Sequence, residues 1–336
     1  MANWQTIIGH DWAVEMLQRS LAHGRTGHAY LITGPDQIGK TTLARAFAQA
    51  LNCTGDEDGL CRACTLIAND RHPDVKPVQP DVSGRGKLTL KIETIRNLQQ
   101  DLNLSAYEAR RKVAILKRFD AATIGASNAF LKTLEEPPRN VVLILTAKDA
   151  DTLLPTISSR CRVLNLRPLS PNLIEQSLTT RWHVAEEKAH LLAHLADGRL
   201  GWAIHAAEDK AILQKREAHL ESLQSALTNQ RVQRFQLADK LARKPETLPD
   251  TVRTWLSWWR DVNLLVQYES AGGTLTASVS NIDQISQLQQ TSQTISVGSA
   301  LASLKQTNLA LWQLTRNANT RLVLENLLLI YPYPTS

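Results

Sequence analysis

Short apolar runs alternate with helix-period patterns over the first half of the chain. The runs that have the length and composition of buried strands are Ala29–Ile32, Lys112–Leu116 and Val141–Leu145. The stretches that carry apolar residues at helical spacing are Asp11–Ala22, Thr41–Leu51, Ile92–Leu102 and Ser127–Glu136. This alternation predicts a doubly wound α/β core with a parallel sheet up to about residue 165.

Strand patterns stop after Ser170. Residues 170–206 carry short helical patterns, and long ones follow in Thr251–Val266 and Leu301–Ile330. The segment Ser270–Ser299 is rich in Ser, Thr, Gln and Gly, which predicts a loop. We therefore predict three domains: an α/β domain over residues 1–166 with a cysteine-rich insertion near 53–72, a small helical domain over 167–207 and an all-helical domain over 208–336.

A phosphate-binding motif lies between the first predicted strand and its helix. Residues Gly34–Thr41 read G-P-D-Q-I-G-K-T, which fits G-x-x-x-x-G-K-[ST]. The glycines let backbone N–H groups surround phosphates, the lysine reaches the β and γ phosphates, and the threonine hydroxyl binds Mg²⁺. A chance match in a Gly-rich turn is the alternative. The strand–loop–helix context favours nucleotide binding by Gly34, Gly39, Lys40, Thr41 and Thr42.

The acid that a P-loop ATPase needs is missing from the strand Lys112–Leu116. Such enzymes hold Mg²⁺ through an acidic residue at the end of a second strand. Here Lys117 and Arg118 follow that strand, and two cations repel a metal ion at close range. Asp120 lies beyond them and could substitute if the strand were longer. The pattern favours binding of ATP or ADP without hydrolysis.

Several motifs together resemble one family. Ser127–Pro138 resembles the N-A-L-L-K-T-L-E-E-P-P signature of bacterial clamp-loader subunits, Ser159–Cys161 resembles their S-R-C motif, and His28–Thr42 resembles their phosphate-loop segment. The resemblance is strong over residues 1–165 and loose beyond. Two later segments, Trp255–Asp261 and Asn317–Glu325, are similar to patterns of the family's non-hydrolysing stator subunit.

This resemblance implies a fold and an assembly. The expected architecture is an AAA+ P-loop domain, a small helical lid and an all-helical collar through which subunits assemble. The implied partners are the delta and gamma/tau subunits, with the sliding clamp and primer–template DNA reached through the complex. Arg160, next to Ser159, is expected to project into a neighbour's ATP site as an arginine finger. An ordinary surface ion pair is the alternative for Arg160.

The stator assignment depends on departures from the ATPase subunits of the family. Those subunits carry a sensing arginine a few residues beyond the position of Gly198, and Gly201 falls near that place here. Arg199 is offset, so the role does not transfer to it. A second nucleotide sensor falls around Thr146–Lys148, where the register is not clean. Two rival functions stay open: an active gamma/tau-type ATPase and a stand-alone zinc-dependent DNA-binding protein.

Three of the four cysteines lie close together in the insertion. Cys61 and Cys64 form a C-x-x-C pair, and Cys53 precedes them by eight residues. This spacing favours metal ligation over disulfides. The family has a four-cysteine zinc module at this place, and the resemblance implies a structural Zn²⁺. Asp58 occupies the slot of the missing cysteine and is the predicted fourth ligand, with His72 a less well spaced alternative. Three thiols without a metal are the remaining interpretation.

Composition adds little to this picture. The formal net charge of +6 permits contact with phosphates, and 43% hydrophobic with 21% charged residues excludes wholesale disorder. The sequence has no run of 18 apolar residues and no secretory signal pattern, so we expect a cytoplasmic location. Among the eight tryptophans, Trp255, Trp258 and Trp259 follow helical spacing in an apolar stretch, which favours packing over base stacking.

Overall fold

Five parallel strands form the sheet of the first half of the chain. A computed structural model describes residues 4–55, 61–82, 88–270, 279–316 and 318–333. The sheet strands are β1 (Ala29–Thr33), β2 (Val75–Val78), β5 (Lys112–Leu116), β6 (Val141–Ala147) and β7 (Arg162–Asn165), in the order β2-β5-β6-β1-β7. A small antiparallel pair is formed by β3 (Asp81–Val82) and β4 (Leu88–Thr89). The predicted parallel α/β core is confirmed.

Helices cover both faces of this sheet. They are α1 (Asp11–Ala22), α2 (Lys40–Asn52), α3 (Arg62–Ala68), α4 (Ile92–Asn103), α5 (Ile124–Glu135) and α6 (Pro155–Ser158). Strand side chains alternate between the two faces. Ile115 and Ile144 therefore pack into the core that contains α1 and α2, whereas Leu116 and Leu145 pack into the core that contains α4 and α5. The central strands β1, β5 and β6 are buried on both sides, which explains their continuous apolar runs.

The rest of the described chain is helical. Its helices are α7 (Pro171–Trp182), α8 (Glu186–Leu195), α9 (Leu200–Glu208), α10 (Lys210–Thr228), α11 (Arg231–Ala242), α12 (Leu248–Ser270), α13 (Ile285–Thr294), α14 (Val297–Thr315) and α15 (Thr320–Ile330). Trp255, Trp258 and Trp259 of α12 are fully buried in one hydrophobic core, so the packing role predicted for them is confirmed. Among the described helices, none is both long and apolar enough for a membrane crossing.

The chain divides into two compact units. Residues 1–170 with 198–201 form the first, and residues 171–197 with 202–336 form the second. A separate lid over residues 167–207 and a separate collar over 208–336 stay predictions. Within the segment Ser270–Ser299, α13 and the start of α14 are helical, and residues 271–278 lie outside the described residues.

Candidate nucleotide and metal sites

The P-loop connects β1 to α2 at the edge of the sheet where all the parallel strands end. Its backbone turns through left-handed conformations at Gly34, Gln37 and Gly39, with φ of 142°, 64° and 111°. A Cβ atom on Gly34 would lie 2.7 Å from the carbonyl oxygen of Leu166, just after β7. Only glycine fits this close approach, so the motif glycine is required by packing as well as by backbone conformation.

Three contacts from other segments hold the P-loop. The N–H of Gly34 donates to the carbonyl of Lys148, 3.0 Å away, and the N–H of Gly201 donates to the carbonyl of Gln37, 2.9 Å away. The Nε2 atom of His10 lies 3.3 Å from the carbonyl of Ile38 and donates to it. Burial lowers the pKa of His10 despite that contact, which keeps the ring neutral at physiological pH. The loop is therefore fixed from both ends.

Lys40 begins α2 and is buried. Its ammonium donates to the carbonyls of Gly34 and Pro35, each 2.6 Å away. Burial lowers the pKa of Lys40, while the nearby carboxylates of Asp36 and Asp120 oppose that change. Thr41 and Thr42 lie in the same first turn of α2, where a bound phosphate would meet the helix N-terminus.

A cluster of opposite charges surrounds this turn. The Lys148 ammonium lies 3.4 Å from an Asp36 carboxylate oxygen, and the Arg118 guanidinium lies 3.9 Å from Asp120. Burial alone would raise the pKa of Asp36, but Lys148, Arg118 and Lys40 outweigh it and the pKa is lowered. Asp36 is therefore a carboxylate at neutral pH. Sequence reasoning named Asp36 only as a motif position and Lys148 only as the end of a possible sensor segment, and it predicted no contact between them.

The two cations after β5 have different surroundings. Lys117 pairs with Asp70 at 3.3 Å, and Arg45 of α2 donates to both oxygens of the same carboxylate. Arg118 has a left-handed φ of 51°, and its N–H donates to the Thr146 hydroxyl at 3.0 Å. Lys117 is thus held by Asp70, while Arg118 lies with Asp120 near the P-loop. Lys117 is therefore not a freely solvated cation.

Position 201 has no room for a residue larger than glycine. A Cβ atom on this residue would lie 2.6 Å from the backbone carbonyl oxygen of Gln37. That oxygen belongs to the P-loop backbone and cannot rotate away as a flexible side chain would. Close packing against the P-loop therefore leaves no room for a longer side chain at position 201.

Arg160 follows α6 and precedes β7. Its guanidinium contacts Glu135 at 2.7 Å and donates to the carbonyl of Thr156 at 3.0 Å. The Ser159 hydroxyl donates to the same carbonyl at 3.4 Å. The arginine and glutamate side chains are 37% and 50% exposed, so the pair is a surface pair of small energetic value. The finger role of Arg160 stays a prediction.

The three cysteines meet as the sequence predicts. Their sulfurs lie within 4.8 Å of one another, with Cys53 and Cys61 3.9 Å apart. Ligands about 2.3 Å from a tetrahedral zinc lie roughly 3.8 Å from each other, so the spacing suits the metal. Burial tends to raise the pKa of Cys61, but N–H groups of Cys64 and Thr54 lower it to about 6. Burial raises the pKa of Cys64.

The fourth zinc ligand stays a prediction. Asp58 lies outside the described residues. The alternative, His72, is buried, and its Nδ1 atom accepts the N–H of Asp74 at 3.1 Å. The Nε2 atom lies 3.8 Å from a Glu108 oxygen. Within the described ranges, the clustered donors are Cys53, Cys61 and Cys64, and His72 is not among them.

The parallel sheet with a P-loop, the helices on both faces and the helical region that follows define a P-loop protein with an α/β core. Residues 9–170 match the family described as DNA polymerase III, delta subunit. The matched region is slightly less than half of the 336-residue chain, and subunits named delta-prime of DNA polymerase III are among the proteins to which the chain is similar.

Individual proteins are similar to parts of the chain. The chain is 34% identical over 189 residues to DNA polymerase III subunit delta' of Bacillus subtilis. This match covers 55% of each of the two chains. It is 33% identical over 215 residues to subunit tau of Escherichia coli, covering 61% of this chain and 32% of tau. The matches thus span about half or less of these relatives. A gamma subunit-related structure from Thermotoga maritima is 19% identical, covers 95% of this chain and 98% of that one, and has a TM-score of 0.45.

Proposed function

We propose that the chain is a stator subunit of a DNA polymerase III clamp loader, of the delta-prime type. It assembles with delta and gamma/tau subunits and helps to load the sliding clamp onto primer–template DNA, but does not turn over ATP itself. The observation that carries the proposal is the pair Lys117 and Arg118 at the end of β5. Metal-dependent phosphoryl transfer needs a carboxylate at this position.

The surroundings of the P-loop support the loss of hydrolysis. Asp120, the first acid along the chain after this strand, faces the Arg118 guanidinium at 3.9 Å. A carboxylate opposed by a cation attracts Mg²⁺ less, and the cation itself repels the metal. The packing of Gly201 on Gln37 removes the sensor position as well.

Sequence similarity does not distinguish the proposed stator from its rival, an active gamma/tau-type ATPase. Relatives of the tau and delta-prime types match the chain at 33% and 34% identity. The proximity of Asp120 to Lys40 is the feature that favours this rival, because an acid near the P-loop lysine is what a metal site requires. The distinction therefore depends on the chemistry of the site.

Arg160 is proposed to act on a neighbouring subunit. Phosphoryl transfer spreads negative charge over the γ-phosphate oxygens, and a guanidinium meets that charge with two parallel donors. The exposed pair with Glu135 leaves the guanidinium at the surface, and such a pair costs little to exchange for a phosphate. Ser159 accompanies Arg160 as part of the same motif.

Cys53, Cys61 and Cys64 are proposed to hold one structural Zn²⁺ with Asp58. Such a metal would cross-link the end of α2 to the start of α3. Metal analysis of protein purified without chelator should find about one zinc per chain. A folded protein free of metal would contradict this part of the proposal.

Steady-state turnover of the purified chain tests the stator assignment. We expect no ATP hydrolysis above background, with or without Mg²⁺. A rate near the ~1 per second of working enzymes that disappears in Lys40→Ala would identify an active ATPase instead. Gel filtration with purified delta and gamma/tau subunits is the second arm, because a stand-alone DNA-binding protein would not enter their complex.

A further inference from the structure

Three cations share the surroundings of the P-loop. The Lys40 ammonium donates to two carbonyl oxygens of the loop at 2.6 Å. The Lys148 ammonium lies 3.4 Å from the Asp36 carboxylate, and the Arg118 guanidinium lies 3.9 Å from the Asp120 carboxylate. All three interact with Asp36 strongly enough to lower the pKa of that partly exposed carboxyl against the effect of desolvation. The three positive charges therefore act on one small region, the turn in which a phosphate chain would lie.

The carboxylates of this region already have cationic partners. Asp36 faces Lys148, and Asp120 faces Arg118 with Lys40 close by. Mg²⁺ requires near-ideal octahedral oxygen coordination, usually with one or two carboxylates free to bind it. A divalent ion at this place would meet three positive charges against two negative ones. The site is unfavourable for the metal and favourable for a polyanion.

Arg118 has the geometry and the free capacity for a phosphate contact. Its backbone is fixed, because the left-handed φ of 51° is held by the N–H bond to Thr146. Its Nε atom and one oxygen of Asp120, both inaccessible to solvent, have no hydrogen-bond partner within the described residues. The side chain is 39% exposed, so its outer nitrogens remain reachable. A guanidinium can meet phosphate oxygens through two parallel N–H groups.

We propose that the P-loop binds a nucleoside di- or triphosphate without Mg²⁺, with Arg118 in the charge-neutralising role that the metal has in P-loop ATPases. Lys40 and the loop N–H groups hold the β phosphate, and Arg118 with Lys148 faces the terminal phosphate. The inference rests on the proposed loss of the metal-binding acid at the end of β5, and it adds the ligand class and its metal dependence.

Equilibrium binding in two buffers tests the proposal. Calorimetric titration of the purified full chain with ATP and with ADP is carried out in EDTA and in excess Mg²⁺. We expect affinity in EDTA to equal or exceed that in Mg²⁺. Affinity that improves tenfold or more with Mg²⁺, or binding in neither buffer, would overturn the proposal.

Substitutions at position 118 separate the role of the guanidinium from that of the loop. Asn and Asp both tolerate the left-handed backbone, so Arg118→Asn and Arg118→Asp should fold. We expect Arg118→Asn to weaken ATP binding in EDTA by about tenfold or more, the usual worth of a charged hydrogen bond. Arg118→Asp should bind ATP only when Mg²⁺ is present. Unchanged affinity of Arg118→Asn in EDTA contradicts the assignment.

A matched control and a separate readout complete the test. Arg139 is exposed and precedes β6, at the opposite edge of the sheet, so Arg139→Asn should leave ATP affinity unchanged. Failure of this inference is distinct from failure of the proposed function. A chain that hydrolyses ATP overturns the stator assignment, whereas a chain that binds only Mg²⁺-ATP without turnover overturns the metal-independent site alone.

Discussion

At the scale of single residues, Gly201 shows how backbone packing shapes the nucleotide site. Its N–H group bonds the carbonyl of Gln37, and its α-carbon lies so near that any Cβ would approach the same oxygen to 2.6 Å. The position thus contributes a backbone contact to the P-loop. A side chain at this position would have to displace the loop.

Gly201→Ala should therefore destabilise the chain although alanine is the better helix former. We expect a loss of about 1–3 kcal/mol in the free energy of unfolding, the range for overpacking at a rigid site. Urea denaturation followed by tryptophan fluorescence measures it. The control is Gly298→Ala in the first turn of α14, where the nearest side-chain atom is 3.9 Å from the new Cβ. An unchanged free energy of unfolding in Gly201→Ala would show that the P-loop can move to accommodate the added Cβ atom.

The phosphate-binding role of the P-loop residues could be predicted because they form a short, recognisable motif. The partners of these residues could not be predicted from the sequence. Lys117 contacts Asp70, 47 residues away in the chain, and Lys148 contacts Asp36 across more than a hundred residues. Such pairs depend on the strand order, which brings the ends of β1, β5 and β6 to one edge. The motif alone does not contain that order.

At the scale of elements, α3 connects the cysteine cluster to the loop before β5. The helix begins after Cys61, whose sulfur accepts the N–H of Cys64, and its Arg62 pairs with Glu108 of that loop. On the other side of the cluster, Asn52 at the end of α2 exchanges two hydrogen bonds, each 3.0 Å long, with the backbone of Arg111. Both flanks of the cysteine cluster thus contact the segment 104–111.

Removal of a bound metal should loosen this connection. We expect chelation to raise amide exchange in residues 62–68 and, to a smaller degree, in residues 104–111. The smaller effect follows because Asp74 also holds that loop through three backbone N–H groups, whatever the state of the cysteines. Hydrogen-exchange mass spectrometry measures both segments, with β6 as the internal reference. Equal exchange before and after metal removal would show that the metal orders neither segment.

Arg234 joins α11 to the segment after α15. The buried guanidinium donates to the carbonyls of Leu328, Tyr331 and Pro332, each 2.7 Å away, and has no carboxylate partner within the described part of the chain. Arg234→Met should cost about 2–5 kcal/mol of unfolding free energy, because buried carbonyls lose their donors. Arg231→Met, on an exposed part of the same helix, should stay within about 0.5 kcal/mol. Equal effects of the two substitutions would contradict this role.

The elements that the sequence predicted are those with a strong periodic signal. The central strands β1, β5 and β6 are buried on both faces and read as continuous apolar runs. The edge strands β2 and β7 are only partly buried, so their sequences mix polar and apolar residues and predicted no strand. The polar helix α13 was missed for the same reason, since little of it faces the core.

At the scale of the whole molecule, a P-loop unit and a helical unit carry different parts of the proposed role. The first unit contains the nucleotide site, the cysteine cluster and Arg160, and the second contains the core around the α12 tryptophans. Within the first unit, Lys40 would serve this chain's own nucleotide, whereas Arg160 would serve a neighbour's. The stator account therefore predicts opposite effects on ATP hydrolysis by the complex when these two residues are substituted.

The most direct test is clamp- and DNA-stimulated ATP hydrolysis by a complex reconstituted with delta and gamma/tau subunits. Complexes carrying Lys40→Ala or Arg160→Ala in this chain are compared with wild type after gel filtration confirms assembly. We predict a wild-type rate with Lys40→Ala. With Arg160→Ala, hydrolysis at the neighbouring site should fall by roughly 10³-fold or more. A wild-type rate with Arg160→Ala, together with a loss of hydrolysis with Lys40→Ala, would contradict the stator account.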